Sequence, residues 1–282
     1  MGQQIGKMLV QITNNCTEMC PHCLHDSRPG DFHMTIDTYE KALQFMNVIP
    51  SMTLVISGGE PTTHPKFFEF LNIAKKKLDG LPIAIASNGT FLFNDDFTNR
   101  LIDLIYQANQ HAMVGSITVQ ISAFEGLYKN RDAVLANMHK LDKIKDYVIL
   151  ESGKINGIHG LGRAKNNPDL VDLIVKKPRT IGCINSISIF RTDPMTRMVM
   201  SSVNYPCKPF VDYKGNVHGG ESIFCKSYGN VNTDSFVQIM QNLSNFKPCG
   251  GCSEFVDTFV NNKDEKFLKL KRICNFLETD KK

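Results

Sequence analysis

No stretch of the chain is apolar over the roughly 20 residues needed to cross a bilayer, so no membrane span is expected. Residues 1–7 lack the basic-then-apolar order of a secretion signal. There is also no dense basic patch. The runs at 75–77 and 269–272 are short and read as the solvated faces of helices. The net charge of +4 is spread over 32 basic and 28 acidic residues, which argues against a nucleic-acid footprint. No internal repeat and no low-complexity tract occur. These absences predict a cytoplasmic protein without membrane or nucleic-acid partners.

What is present is an ordinary globular composition, 42% apolar and 21% charged. The 282 residues suit one large domain, or a domain with a smaller appendage. Nine cysteines stand out. The cytosol keeps thiols reduced, so they are not expected to form a disulfide framework. Clustered cysteines there read as metal ligands or catalytic groups.

Short apolar, β-branched runs alternate with helical patterns. Strands are predicted at 8–13, 53–57, 83–86, 117–121 and 147–150. Helices are predicted at 37–47, after Pro65, at 95–108 and at 131–144, with Thr35 or Asp37 as the first cap. This alternation predicts βαβ units and a parallel sheet. Functional residues of such sheets gather where strands end. Polar or glycine-rich motifs follow the first four strands: the loop after Thr13, then Gly58 to Glu60, Ser87-Asn88, and Ser122. One shared site at the carboxyl edge is expected. Beyond about residue 200 the alternation fades and turn residues multiply, which predicts a second, loop-rich unit held by a metal over 201–282.

The first cysteine cluster is Cys16-Thr-Glu-Met-Cys20-Pro-His-Cys23. Closed tetrahedral zinc takes four ligands, and His22 or His25 would complete such a site. Iron–sulfur clusters also take four cysteines as a rule, so three leave one iron open to an outside ligand. Both readings stand on the residues alone.

This C-x-x-x-C-x-x-C segment, directly after the first strand, resembles the signature of the radical S-adenosylmethionine (SAM) superfamily. Gly58-Gly59-Glu60-Pro61 resembles its glycine–glycine–glutamate motif, and Ser87-Asn88-Gly89-Thr90 its ribose-contacting segment. Ser122 and Arg131 resemble its carboxylate-contacting pair. Gly162-Arg163-Ala164 resembles a segment common in the peptide-modifying branch, and Leu161 beside it is placed to pack on adenine. The resemblance implies a partial (β/α)6 TIM-like barrel over 1–200. It implies a [4Fe–4S] cluster on Cys16, Cys20 and Cys23, with SAM on the open iron. Cofactor contacts then fall to His22, Gly58, Gly59, Glu60, Ser87, Asn88, Ser122, Arg131 and Leu161. The chemistry implied is reductive cleavage of SAM to a 5′-deoxyadenosyl radical, which takes a hydrogen atom from substrate.

The second group is Cys207, Cys225, Cys249 and Cys252. Its layout over about 205–255 resembles the short "twitch" form of the SPASM extension, which implies a second, auxiliary [4Fe–4S] cluster. Four ligands also suit structural zinc. Cys274 lies in a helical pattern and reads as core. Cys183 is a candidate hydrogen donor to a substrate radical, as in peptide epimerases. His33, His64, His111, His139, His159 and His218 read mostly as surface or capping residues. His218 sits in the second cluster segment, and His159 precedes the Gly-Arg-Ala segment. Glu151, Glu221 and Asp193 are equal candidates for a general acid or base.

The substrate implied first is a peptide or protein side chain, to be oxidised, crosslinked or epimerised. The alternative is dehydrogenation of a small molecule such as a sugar or aminocyclitol. A non-catalytic zinc protein is the reading from another class. A flavodoxin or ferredoxin reductant is expected. Only a few residues precede the first strand, so no fused leader-peptide domain is expected.

Overall fold

The computed structural model describes residues 7–48, 53–78, 80–110, 117–155, 157–158, 162–174, 210–219 and 222–244. The first part alternates strand and helix: β1 (Lys7–Gln11), α1 (Ile36–Val48), β2 (Thr53–Ser57), α2 (Phe67–Lys77), β3 (Ile83–Ser87), α3 (Asp95–Gln110), β4 (Ile117–Ser122), α4 (Arg131–Asn137) and β5 (Val148–Glu151). Later come β6 (Phe210–Val211), β7 (Asn216–His218), β8 (Ser227–Asn230) and α5 (Phe236–Ser244).

The central strands are apolar because both faces are covered, as parallel sheets require. Leu54, Val55 and Ile56 of β2 and Ile83, Ala84 and Ile85 of β3 are all buried. Helix α2 buries Phe67, Phe68, Phe70, Leu71 and Ala74 and leaves Lys75, Lys76 and Lys77 in its last turn, where cations suit the helix dipole. Thr35 caps α1, its hydroxyl accepting the Thr38 N–H at 3.2 Å. One core joins Met8, Val10 and Ile12 to Tyr39, Phe70, Leu101 and Ile121.

The eight strands form one sheet in the order β5-β4-β3-β2-β1-β6-β7-β8. β1 to β5 are parallel neighbours in chain order, so their carboxyl ends share one edge. The expected six-strand barrel is represented among the described residues by these five strands. β6 is also parallel and lies on the other side of β1, pairing Phe210 with Leu9 and Val211 with Val10.

The segment expected to start a second unit therefore continues the first sheet. Val211, Val217, Tyr228, Val231 and Ile239 belong to the main core. The expected boundary at residue 200 lies outside the described residues. The turn from β6 to β7 is tied by Asp212, which accepts bonds from Lys214 N, Asn216 N and Asn216 Nδ2, each at 2.9 Å. Burial opposes its ionisation, but hydrogen bonds from His218 and Asn216 outweigh that and hold its carboxyl below the usual range. The turn also needs Gly215, whose φ of +87° suits glycine.

The predicted helix 131–144 is only partly α-helical. It gives way at Asn137 to a 3₁₀ stretch, Met138–Tyr147. The Asn137 side chain donates to the Ala133 carbonyl four residues back, at 2.9 Å, and competes for the acceptor that the helix ladder uses.

Candidate functional site

The site begins where β1 ends. The chain leaves the sheet as an irregular loop and returns at Met34, whose N–H bonds the Ile12 carbonyl at 2.8 Å. Bridges pair Thr13 with His33 and Asn15 with Arg28. Within this frame lie Cys16, buried, and Cys20 and Cys23, half-buried. Two non-glycine residues of the loop, Met19 and Asp26, have left-handed backbones at φ 52° and 49°. Such residues persist only where the surroundings hold them.

Those surroundings come from four directions. From β2, the Gly59 N–H donates to the Thr13 carbonyl at 2.7 Å and the Glu60 N–H to the Asn15 carbonyl at 2.8 Å. A Cβ on Gly59 would lie 2.5 Å from Asn15 O and 2.8 Å from Cys16 Cβ. The glycine pair is thus required by the cysteine loop itself. From the start of α4, the backbones of Lys129 and Asn130 donate to Glu18, at 2.9 and 3.3 Å, and the Asn130 amide adds a third bond. From the 3₁₀ turn Gly162–Asn166, Arg163 reaches Cys20, Asp26 and Ser27. From the last part of the sheet, Ser222 donates to the Leu24 carbonyl at 2.8 Å and Phe210 stacks on His25 at 5.1 Å.

The Cys16 and Cys20 thiols are held in the protonated form. Burial pushes Cys16 up to about 11. Burial, with the neighbouring charges of Cys16, Glu18 and Cys23, pushes Cys20 up to about 12. The three cysteines thus lie close enough to perturb one another. Among the described residues, however, no three His, Cys, Asp or Glu side chains converge as one metal ion would require. A further polar atom is left over beside them: His22 Nδ1 is buried without a hydrogen-bond partner. Its ring lies 5.2 Å from that of Tyr128. Burial, aided by the Arg163 charge, pulls His22 down to about 4, so the ring is neutral.

At the ends of β2 and β3, Glu60, Ser87 and Asn88 form one network. Glu60 is fully buried. One carboxylate oxygen accepts Thr62 N at 3.2 Å, Thr62 Oγ at 2.6 Å and Ser87 Oγ at 2.9 Å; the other accepts Asn88 N at 2.7 Å. Burial raises its pKa against the pull of these donors. The Asn88 amide nitrogen sits 3.8 Å from Cys16 Sγ, which links this network to the cysteine loop. At the ends of β4 and β5, Ser122 donates to Glu151 at 3.3 Å, and Arg131 reaches the Ser152 carbonyl at 3.4 Å. Arg131 Nε is buried without a hydrogen-bond partner, while its Nη1 pairs with Asp132 at 2.6 Å.

Of the second cysteine group, Cys225 is described and half-buried. Its carbonyl bonds His218 Nδ1 at 2.9 Å, and His218 Nε2 meets Asp212 at 2.9 Å. Leu161, Cys183, Cys207, Cys249, Cys252 and Cys274 lie outside the described residues, as do His111, His159, Asp193 and Glu221. His139 is exposed, as expected, bonding the Ala136 carbonyl.

Sequence reasoning gave no role to Glu18, Tyr128 or the Arg163 side chain. Glu18 lies inside the cysteine motif, and an acid in so tight a loop needs nearby backbone donors; that was the available signal. Tyr128 left none.

Residues 10–146 match the family model of the Radical SAM superfamily. The segment carries the three-cysteine loop, both glycine-containing strand ends, Ser122 and Arg131. A curated relative, the tungsten-containing aldehyde ferredoxin oxidoreductase cofactor-modifying protein of Pyrococcus furiosus, is 31% identical over 108 residues. That match takes in 35% of this chain and spans only 29% of the relative's length. Among solved structures, BtrN in complex with AdoMet and 2-DOIA is similar at TM-score 0.50 and 15% identity, over 91% of this chain and 88% of BtrN. Native anSMEcpe with bound AdoMet and Cp18Cys peptide is similar at TM-score 0.50 and 14% identity, over 98% of this chain and 99% of that one. At these identities the likeness is one of fold. Among the described residues no helix is long and apolar enough to cross a membrane.

Proposed function

We propose that the chain is a radical SAM enzyme that modifies a peptide or protein side chain. The observation that carries this reading is the junction of the cysteine loop with the β2 and β3 ends, inside the matched segment 10–146. When bound, a [4Fe–4S] cluster and SAM supply a 5′-deoxyadenosyl radical that abstracts a hydrogen atom from substrate. Cys16, Cys20 and Cys23 would hold the cluster, each losing a proton to do so. Arg131, with its unpartnered Nε, and Ser122 would receive the SAM carboxylate. His22 and Leu161 would flank the base. Gly58 and Gly59 keep the β2 turn free of side chains. Glu60, Ser87 and Asn88 would shape the wall of the cofactor site, with Glu60 fixing the other two.

The peptide reading draws support from the fold likeness to anSMEcpe, whose structure holds a peptide. The equal likeness to BtrN favours the small-molecule alternative, dehydrogenation of a sugar or aminocyclitol. An auxiliary [4Fe–4S] cluster on Cys207, Cys225, Cys249 and Cys252 belongs to the same proposal. The segment of Cys225 meets the cysteine loop through the Ser222–Leu24 hydrogen bond, in keeping with that reading. Cys183 is kept as the proposed hydrogen donor, and flavodoxin or ferredoxin as the reductant.

The test is anaerobic. Iron and sulfide are reconstituted into the protein, SAM and dithionite are added, and 5′-deoxyadenosine is measured against Cys20→Ala. Nucleoside from the wild type alone supports the reading. If reduced, iron-loaded protein also gives no spectroscopic sign of SAM binding, the reading fails. Zinc in place of iron and labile sulfide would return the non-catalytic alternative.

A further inference from the structure

We propose that Arg163 is the positioning residue that holds the cysteine loop in its cluster-binding shape. This rests on the reading that the loop of Cys16, Cys20 and Cys23 carries the cluster.

The loop has little regular structure and two left-handed non-glycine residues. Its shape must be imposed from outside. Arg163 engages it at four points. Its backbone N–H donates to the Cys23 carbonyl at 3.0 Å. Nε donates to Asp26 Oδ1 at 3.0 Å, one Nη to the Cys20 carbonyl at 2.6 Å, and the other to the Ser27 carbonyl. Three carbonyls, of Cys20, Cys23 and Ser27, thus face residue 163. With the Ser27 carbonyl held there, the Ser27 N–H lies 3.3 Å from Cys23 Sγ. The clamp thus holds the stretch that presents the Ser27 N–H to that sulfur.

The base of the clamp is rigid. Gly162 allows the approach: at φ +59°, a Cβ there would lie 2.3 Å from Cys23 O. Ala164 and Leu170 pack with Leu127 and Ile158 in a small core of their own. The planar guanidinium fork meets diverging acceptors that a lysine ammonium does not match. Charged donors also hold carbonyls harder than neutral ones. A cation and an N–H near the sulfurs would favour the more negatively charged, reduced state of a bound cluster.

The experiment uses full-length apo protein first. Hydrogen exchange over 16–28 is compared among wild type, Arg163→Lys, Arg163→Met and Arg28→Met. Among the described residues the Arg28 side chain pairs only with Asp26, while its backbone holds Asn15 and Cys16, so removing that side chain serves as the control. Exchange is expected to rise about tenfold in Arg163→Met, with Arg163→Lys between, while β3 and β4 keep their protection. Arg28→Met should match wild type. If Arg163→Met fails to fold, Arg163→Lys and Asp26→Asn carry the same reading. Unchanged exchange over 16–28 in the folded variants overturns the proposal. After reconstitution, Arg163→Met should load less iron and show a more negative midpoint potential than wild type; equal loading and equal potential also overturn it. The apo measurement needs no cluster. A wild type that binds no cluster therefore sinks the proposed function while leaving the apo result to judge the clamp.

Discussion

Gly59 shows how a single missing atom shapes the site. The methyl of Gly59→Ala would meet backbone, at 2.5 Å from Asn15 O, and neither strand nor loop can step aside cheaply. We expect a loss of about 1–3 kcal/mol in urea unfolding, the usual cost of overpacking, together with reduced iron uptake. Glu60→Gln tests the opposite case, a side chain filled to capacity. Its four donors all need lone pairs, and the amide replaces one acceptor oxygen with a donor. A loss of about 1–3 kcal/mol is expected in the same unfolding measurement. At this scale the sequence was partly legible. The glycines and Glu60 stood out by pattern, but their partners did not. Spacing shows that Gly58-Gly59 ends a strand; only the fold shows that what comes close is the cysteine loop. Glu18 and Arg163 were hidden for a related reason: most of their acceptors and donors are backbone atoms far along the chain, which carry no residue-specific signal.

Between elements, His64 ties the β2 turn to the segment that follows the cysteine loop. Its Nδ1 accepts the Lys66 N–H at 2.9 Å, so the proton sits on Nε2, which donates to the Met34 carbonyl at 3.0 Å. A second proton would break the Lys66 bond. Burial lowers its pKa from the ordinary 6.5, with His33 and Lys66 adding to the shift and Glu69 opposing it. The neutral form belongs to the fold, so His64 contributes stability above about pH 6.5 that is lost as the pH falls below it. Stability measured from pH 8 to pH 5 should therefore decline on the acid side. His64→Gln should flatten the decline; an unchanged slope would refute the assignment. Asn109 does similar work at β4, where its amide donates to Ile117 O at 2.8 Å and accepts Ile117 N at 2.9 Å. The β1 to β5 strands and first three helices were readable from periodicity alone, within a residue or two at most ends. The structure ends the α-helix at Asn137, short of the 131–144 that apolar spacing predicts, because that spacing does not reveal that Asn137 competes for a carbonyl.

Among the described residues, the main core that β6 to β8 share with β1 to β5 decides the expected behaviour. Phe210 is fully buried, pairs with Leu9, stacks on His25 and lies tilted against His218. Probes in β3 and in the β7–β8 hairpin should unfold together in urea, as a single cooperative unit does. Phe210→Ala should move both transitions by about 3–5 kcal/mol. Two separated midpoints would contradict a shared core. A change of texture after residue 200 is visible in the sequence, and it reads as a new unit because short strands rich in turns look self-contained. Pairing between β1 and β6 is set by contacts across the length of the chain, which local patterns do not encode.

That pairing also has a consequence in time. On the ribosome, β1 emerges ahead of the rest of this sheet and β2 soon gives it one neighbour, but its other neighbour is separated from it by about two hundred residues of chain. Until β6 emerges, one side of β1 is a raw edge, open to a stray strand from another nascent chain. The loop bearing the three cysteines springs from this same strand and is buttressed by Ser222, which is made later still. Under the proposed function, the loop that would receive a cluster is complete only once Ser222 has been made, and until then its thiols stand unshielded.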